Sequence, residues 1–184
     1  MQLIITKKIR NLNRLNYDLP WRLLNNKIIK IDSKQFEQDL LLIHLKEMEE
    51  ISKAQPLFQN AYKELIEAKH YFENSDYKQA VLFAEKSYES VLKIFVDDNK
   101  GQAKNLIEKA QKKLFDFPKE ININGFSENV LMSLPYIRNQ TKVGHGEGGE
   151  NIEIPKSLAR LSINLSCALC SYILDNYKNL EQKK

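Results

Sequence analysis

The sequence predicts an all-α protein, and three observations carry the prediction. From Ser33 onward apolar residues recur at three- and four-residue steps, the spacing of a helix face turned toward a core. The clearest such stripe is Tyr77, Val81, Ala84, Tyr88, Val91 and Phe95. The last long segment is apolar on two sides, with Leu158, Leu161, Leu165, Ala168, Leu169 and Tyr172 on one and Ile163, Cys167, Cys170 and Leu174 on another. A helix of that kind lies at the centre of a monomer or between two subunits.

Each element follows in chain order. Residues 2–16 are expected to form a short basic helix that Pro20 interrupts. Leu23 to Ile29 reads as two extended pieces around an Asn25-Asn26 turn, a short hairpin. Ser33 is a candidate N-cap for a helix along Phe36, Leu40, Ile43 and Ile51, and Pro56 ends that helix or opens the next. A helix over 57–73 is followed by an Asn74-Ser75-Asp76 turn, where Asp76 and Gln79 have capping-box spacing. The main stripe comes next, closed by Asp98 to Gly101. Beside it Glu85, Glu89 and Lys93 lie four residues apart, either as surface salt links or as a polar row facing the 138–145 loop.

A helix over 102–115 and a loop over 116–126 lead to Ser127, expected to cap a helix that reaches Arg138. Pro135 must kink that helix or split it, because it has no N–H for the ladder. Gly144 is expected to end it in a left-handed cap, and Pro155 suits the first turn of the final helix. The expected division is an extension over 1–55 (basic helix, possible short hairpin, helix) and a helical domain over 56–182.

Composition narrows the function classes. The chain has 184 residues, 42% hydrophobic and 28% charged, enough for one domain with a small appendage. A net charge of +4 and a pI near 8.9 are compatible with nucleic acid without demanding it. Lys7, Lys8, Arg10, Arg14, Arg22, Lys27 and Lys30 face a single acid, Asp18, in the first thirty residues. That segment is either a solvated basic face or a surface for RNA or a partner. No apolar run approaches the ~20 residues of a membrane span, and Met1 to Ile5 is too short for a signal peptide. A cytoplasmic protein is expected. Cys167 and Cys170 lack a second pair to complete a zinc site, so buried thiols are expected, with no metal and no cofactor.

Chemistry concentrates between Arg138 and Glu150, where four of the six glycines fall. Arg138 and His145 would lie about 10 Å apart on one helix face if the helix ran through both. A break at Gly144 would instead put His145 in a Gly-His-Gly loop that a ligand could approach closely. A histidine can exchange a proton near neutrality, and a guanidinium can clamp a phosphate with a fork of donors. These are the groups that phosphodiester cleavage uses. Glycine-rich loops also carry exposed histidines by chance, so the spacing alone leaves both readings open.

The Arg138-Asn139-x4-Gly144-His145-Gly146 run, the preceding Glu89-Ser90-Val91-Leu92-Lys93 segment and the apolar last helix make residues 57–178 resemble the HEPN domain. The likeness is to the form at the C-terminus of bacterial abortive-infection proteins. The resemblance implies a HEPN-like bundle of about five main helices that dimerises across a shared cleft. It implies a metal-independent endoribonuclease of phage-defence or toxin–antitoxin type, or alternatively a module without activity that binds RNA or a partner. Arg138 and His145 would be catalytic, with Asn139, Glu89, Lys93, Gly144 and Gly146 supporting them. Lys142 and the basic residues Lys7, Lys8, Arg10 and Arg14 would grip the RNA backbone. A cognate antitoxin or effector protein is a further expected partner.

Overall fold

The computed structural model describes residues 21–24, 27–30, 45–114, 120–143 and 152–181. By backbone contacts the chain divides into a unit over Met1–Ile43 and a larger one over His44–Lys184. In the first unit, strands β1 (Trp21–Leu24) and β2 (Lys27–Lys30) pair antiparallel, with Trp21 opposite Lys30 and Leu24 opposite Lys27. This is the hairpin that the two extended pieces predict. Lys7, Lys8, Arg10 and Arg14, the basic helix over 2–16 and the Ser33 cap lie outside the described residues.

The second unit is a helical bundle. Helix α1 covers 45–54 among the described residues. A single 3₁₀ turn, Pro56–Phe58, leads into α2 (Gln59–Glu73), so Pro56 opens the next helix. Then come α3 (Tyr77–Val96), α4 (Ala103–Lys113), the one-turn α5 (Ile123–Phe126), a π-helical turn (Ser127–Leu131), α6 (Ser133–Gln140) and α7 (Lys156–Glu181).

Helix α3 is the centre of the bundle. Asp76 caps it, its Oδ1 accepting from the Gln79 N–H at 3.2 Å, and Val81, Ala84, Tyr88, Val91 and Phe95 are buried as the periodicity requires. Small polar residues let its neighbours approach closely. Ser87 Oγ donates to the Ala61 carbonyl of α2 (2.8 Å), and Ser166 Oγ of α7 donates to the Ala84 carbonyl (2.7 Å). Both hydroxyls are buried, so each contact satisfies a group that would otherwise be costly to desolvate. Glu47 of α1 accepts from Ser171 of α7 at 3.1 Å.

Of the two apolar stripes on α7, the one through Ile163, Cys167, Cys170 and Leu174 forms the core face. Burial pushes both thiols up to about 12, which keeps them neutral. The other stripe is only partly covered: Leu169 is buried, Leu158, Leu165 and Tyr172 are half-buried, and Leu161 and Ala168 are exposed. By length and composition alone α7 is apolar enough to cross a membrane. Its apolar residues in the core face are packed inside the bundle, as those of a central helix are.

The segment before Arg138 corrects the sequence reading in two places. The 116–126 region is not loop to its end, because Asn122 caps α5 by accepting from the N–H groups of Asn124 (3.0 Å) and Gly125 (3.2 Å). Ser127 therefore lies inside a helical run and caps nothing. A π turn then delivers Met132, whose N–H bonds to the Ser127 carbonyl (3.0 Å), and α6 starts afresh at Ser133. Pro135 thus sits in a first turn, where its missing N–H breaks no ladder. The proline splits the helix instead of kinking it.

Candidate functional site

Arg138 is placed from both ends of its helix. Upstream, the buried Tyr88 hydroxyl donates to the Leu131 carbonyl at 3.2 Å, tying the π turn to α3. Downstream, α6 ends at Gln140, earlier than the Gly144 cap that the sequence suggests. The physical cause is Thr141. Its hydroxyl lies 2.8 Å from the Ile137 carbonyl and 3.0 Å from the Arg138 carbonyl, occupying acceptors of the last turn. Lys142 then takes a left-handed conformation (φ 52°) and its N–H bonds to the Asn139 carbonyl. Arg138 and whatever follows Val143 are therefore not carried on one continuous helix. Gly144, His145 and Gly146 lie outside the described residues.

The Arg138 side chain turns toward α3. Its Nε lies 4.0 Å from Oε2 of Glu85, whose side chain is only 2% exposed, and has no hydrogen-bond partner among the described residues although it is buried. Burial pushes the Glu85 carboxyl up from its ordinary 4.5 to about 7. The charge of Glu89, and a hydrogen bond to it, push the same way, while the charges of Arg138 and Lys93 oppose. The Glu85 carboxyl, raised by its own burial and by its neighbour's charge, therefore exchanges its proton near neutrality.

Glu89 also pairs with Lys93 at 2.5 Å. Of that row, Glu89 and Lys93 form the helix salt link and Glu85 faces Arg138 of α6, while residues 144–150 of the loop it was expected to face lie outside the described residues. Glu85 is the residue that spacing alone missed as an arginine partner. Its signal was present, since a glutamate between Val81 and Tyr88 lies within the buried stripe.

These groups open onto a cleft of about 520 Å³. Its walls come from α3 (Glu85, Glu89, Lys93), from the 97–102 loop and the start of α4 (Lys100, Lys104), and from α6 (Arg138, Asn139). Four cations against two acids, with both acids engaged by cations, leave the cleft electropositive. It is a place for an anion that meets a guanidinium beside the buried Glu85 carboxyl. The structure brings together Arg138, Asn139, Glu89 and Lys93 of the expected site. Lys142 is exposed on the turn after α6. Among the described residues no group of three His, Cys, Asp or Glu side chains is arranged to hold a metal ion.

Comparison with known proteins gives the chain its family. Searches of curated proteins and of solved structures returned no match. The family model Abi_C, described as a HEPN-like domain, matches residues 59–177, which run from the first residue of α2 almost to the end of α7 and include the whole cleft. The chain belongs to the Abi_C family of HEPN-like domains.

Proposed function

We propose that this chain is a metal-independent endoribonuclease of an abortive-infection or toxin–antitoxin type system, working in the cytoplasm as a homodimer. The observation that carries the reading is Arg138: a guanidinium in an electropositive cleft whose Nε is desolvated, as a group prepared for an anion would be. A cation that is preorganised and shielded from water stabilises developing phosphorane charge more strongly than a solvated one.

His145 supplies the proton transfers. The ribose 2′-oxygen attacks phosphorus and loses its proton, the bond from phosphorus to the 5′-oxygen breaks, and the leaving oxygen gains a proton. The products carry a 2′,3′-cyclic phosphate and a 5′-hydroxyl. General acid–base assistance of this kind contributes about 10²- to 10⁴-fold. Asn139, at the cleft wall, steadies the phosphate, and Glu89 holds Lys93 and hydrogen-bonds the Glu85 carboxyl.

The half-covered stripe of α7 supports a dimer, with a second copy of this chain against Leu161. The contact of Glu85 with Arg138 favours a second reading, a module that binds RNA or a partner protein without turnover, because an arginine held by a carboxylate is less free to meet phosphate.

One experiment separates the two readings. The wild-type protein in EDTA is expected to cut total cellular RNA, leaving cyclic-phosphate ends, while His145→Ala does not. Equal cleavage by both proteins would remove His145 from the mechanism. RNA binding by the wild type with no products would leave the binding module.

A further inference from the structure

Arg138 accounts for only part of the cleft. Glu85, Glu89 and Lys93 follow one another along α3, so the α3 wall between Glu85 and Lys93 spans about 12 Å at the helical rise. Arg138 lies beside Glu85 at the start of that wall. Past Lys93 the chain turns through the 97–102 loop into α4, bringing Lys100 and Lys104 to the cleft. We infer that Lys100, Lys104 and the start of α4 form a second anion subsite, which holds a phosphate of single-stranded RNA flanking the one at Arg138. The inference rests on the ribonuclease reading for its choice of anion.

Charge balance is the first argument. The two acids of the cleft are engaged elsewhere, Glu85 with Arg138 and Glu89 with Lys93. Asp98, the acid closest to Lys100 in the chain, forms its ion pair with Lys109 at 2.5 Å. Its other oxygen accepts from the backbone N–H groups of Lys100 and Gly101, both at 3.0 Å. Lys100 and Lys104 are exposed and have no ion pair among the described residues. The start of α4 compounds the excess. Gln102 at its N-cap makes no side-chain hydrogen bond, and its first turn holds no acid. The N–H groups of that first turn thus have no side-chain acceptor from their own N-cap, and the Asp98 carboxylate just before it is already paired with Lys109.

Fixed geometry is the second argument. The Asp98 bonds hold the backbone at Lys100, and an added Cβ at Gly101 would come within 2.6 Å of Leu106 Cδ2. Lys113 Nζ donates to the Phe95 carbonyl at 3.1 Å, tying the end of α4 back to α3. The lysines thus project from a backbone whose shape is set before any ligand arrives. Lysines carried on a fixed backbone lose less on binding than lysines on a free loop, since only their side chains have still to be ordered.

The test compares wild type with the double variant Lys100→Gln/Lys104→Gln, both changes lying on exposed side chains. The probe is a 2′-O-methyl hexanucleotide, which has the phosphates but no nucleophile, titrated by fluorescence anisotropy across a salt series. The variant is expected to bind about tenfold more weakly, with the salt slope reduced by about 0.7, the value for one single-strand phosphate. On unmodified hexanucleotide its KM should rise with kcat retained. On a dinucleotide, which has a single phosphodiester, the loss should be smaller than on the hexanucleotide. Unchanged affinity and slope in the double variant would overturn the subsite while leaving wild-type cleavage intact. Salt-dependent binding that falls as expected, without cleavage by the wild type, would overturn the nuclease and keep the subsite. Failure of the wild type to bind the hexanucleotide would overturn both.

Discussion

Glu85 has the most consequential ionisation in the described structure. Its folded pKa of about 7 lies above the ordinary 4.5, so the folded state binds the extra proton between those values. The associated stability is fully present below about pH 4.5 and is lost as pH rises through about 7. Above that the carboxylate is buried with its charge and faces Arg138; below it the neutral acid bonds to Glu89 and leaves the guanidinium available. Glu85→Gln keeps the shape and a donor but cannot ionise. Its urea midpoint should vary less between pH 5 and pH 8 than that of wild type, and its cleavage rate at pH 8 should equal or exceed wild type. A midpoint difference as large as the wild-type one would remove Glu85 as its origin. A loss of cleavage across the whole pH range would mean that the carboxylate is needed to aim Arg138.

Among the elements, the loop from α3 to α4 depends on one glycine. Asp97 takes the left-handed position (φ 57°) that ends α3, and Gly101 then passes so close to Leu106 and Asp98 that a methyl group does not fit. Leu106 is wholly buried, so it has little room to retreat. Gly101→Ala should destabilise the domain by about 1–3 kcal/mol, the usual cost of overpacking, read as a lower urea midpoint with the slope unchanged. It should also displace Lys100 and weaken RNA binding.

The same loop illustrates what could be read from the sequence. The turn before Gly101 was legible because glycine and asparagine punctuate it, and α3 was legible because six apolar residues keep one period. The breaks around α6 were not, since they depend on competing hydrogen bonds. Asn122 starts a turn that the Ser127 spacing concealed, and Thr141 ends a helix before Gly144, the residue type suited to do so. Glu85 was hidden for a related reason: four-residue spacing describes a helix surface equally well whether one member is turned inward or not. Only the rotation of α3 against α6 distinguishes them.

At the scale of the whole molecule, α7 faces two ways. Its inner stripe is used by the bundle, with Ile173, Leu174 and Cys170 almost fully enclosed. Its outer side retains Leu161 at 47% exposure, with half-buried Leu158 and Leu165 on the neighbouring turns. The bundle covers Leu158 and Leu165 only in part and leaves Leu161 open, whereas a second copy of the chain would bury them by two-fold symmetry, each α7 against its counterpart. Such a dimer would bring two Arg138 clefts into one assembly, so cleavage should depend on protein concentration. Leu161→Glu places a charge at the proposed seam on a side chain that the monomer leaves half open. It should therefore spare the fold, with a circular dichroism spectrum and urea midpoint close to wild type. Sedimentation should shift from dimer to monomer at micromolar protein, and RNA cleavage should fall with it. A variant that remains dimeric would move the interface off α7, and a monomeric variant of undiminished activity would make each cleft a complete site.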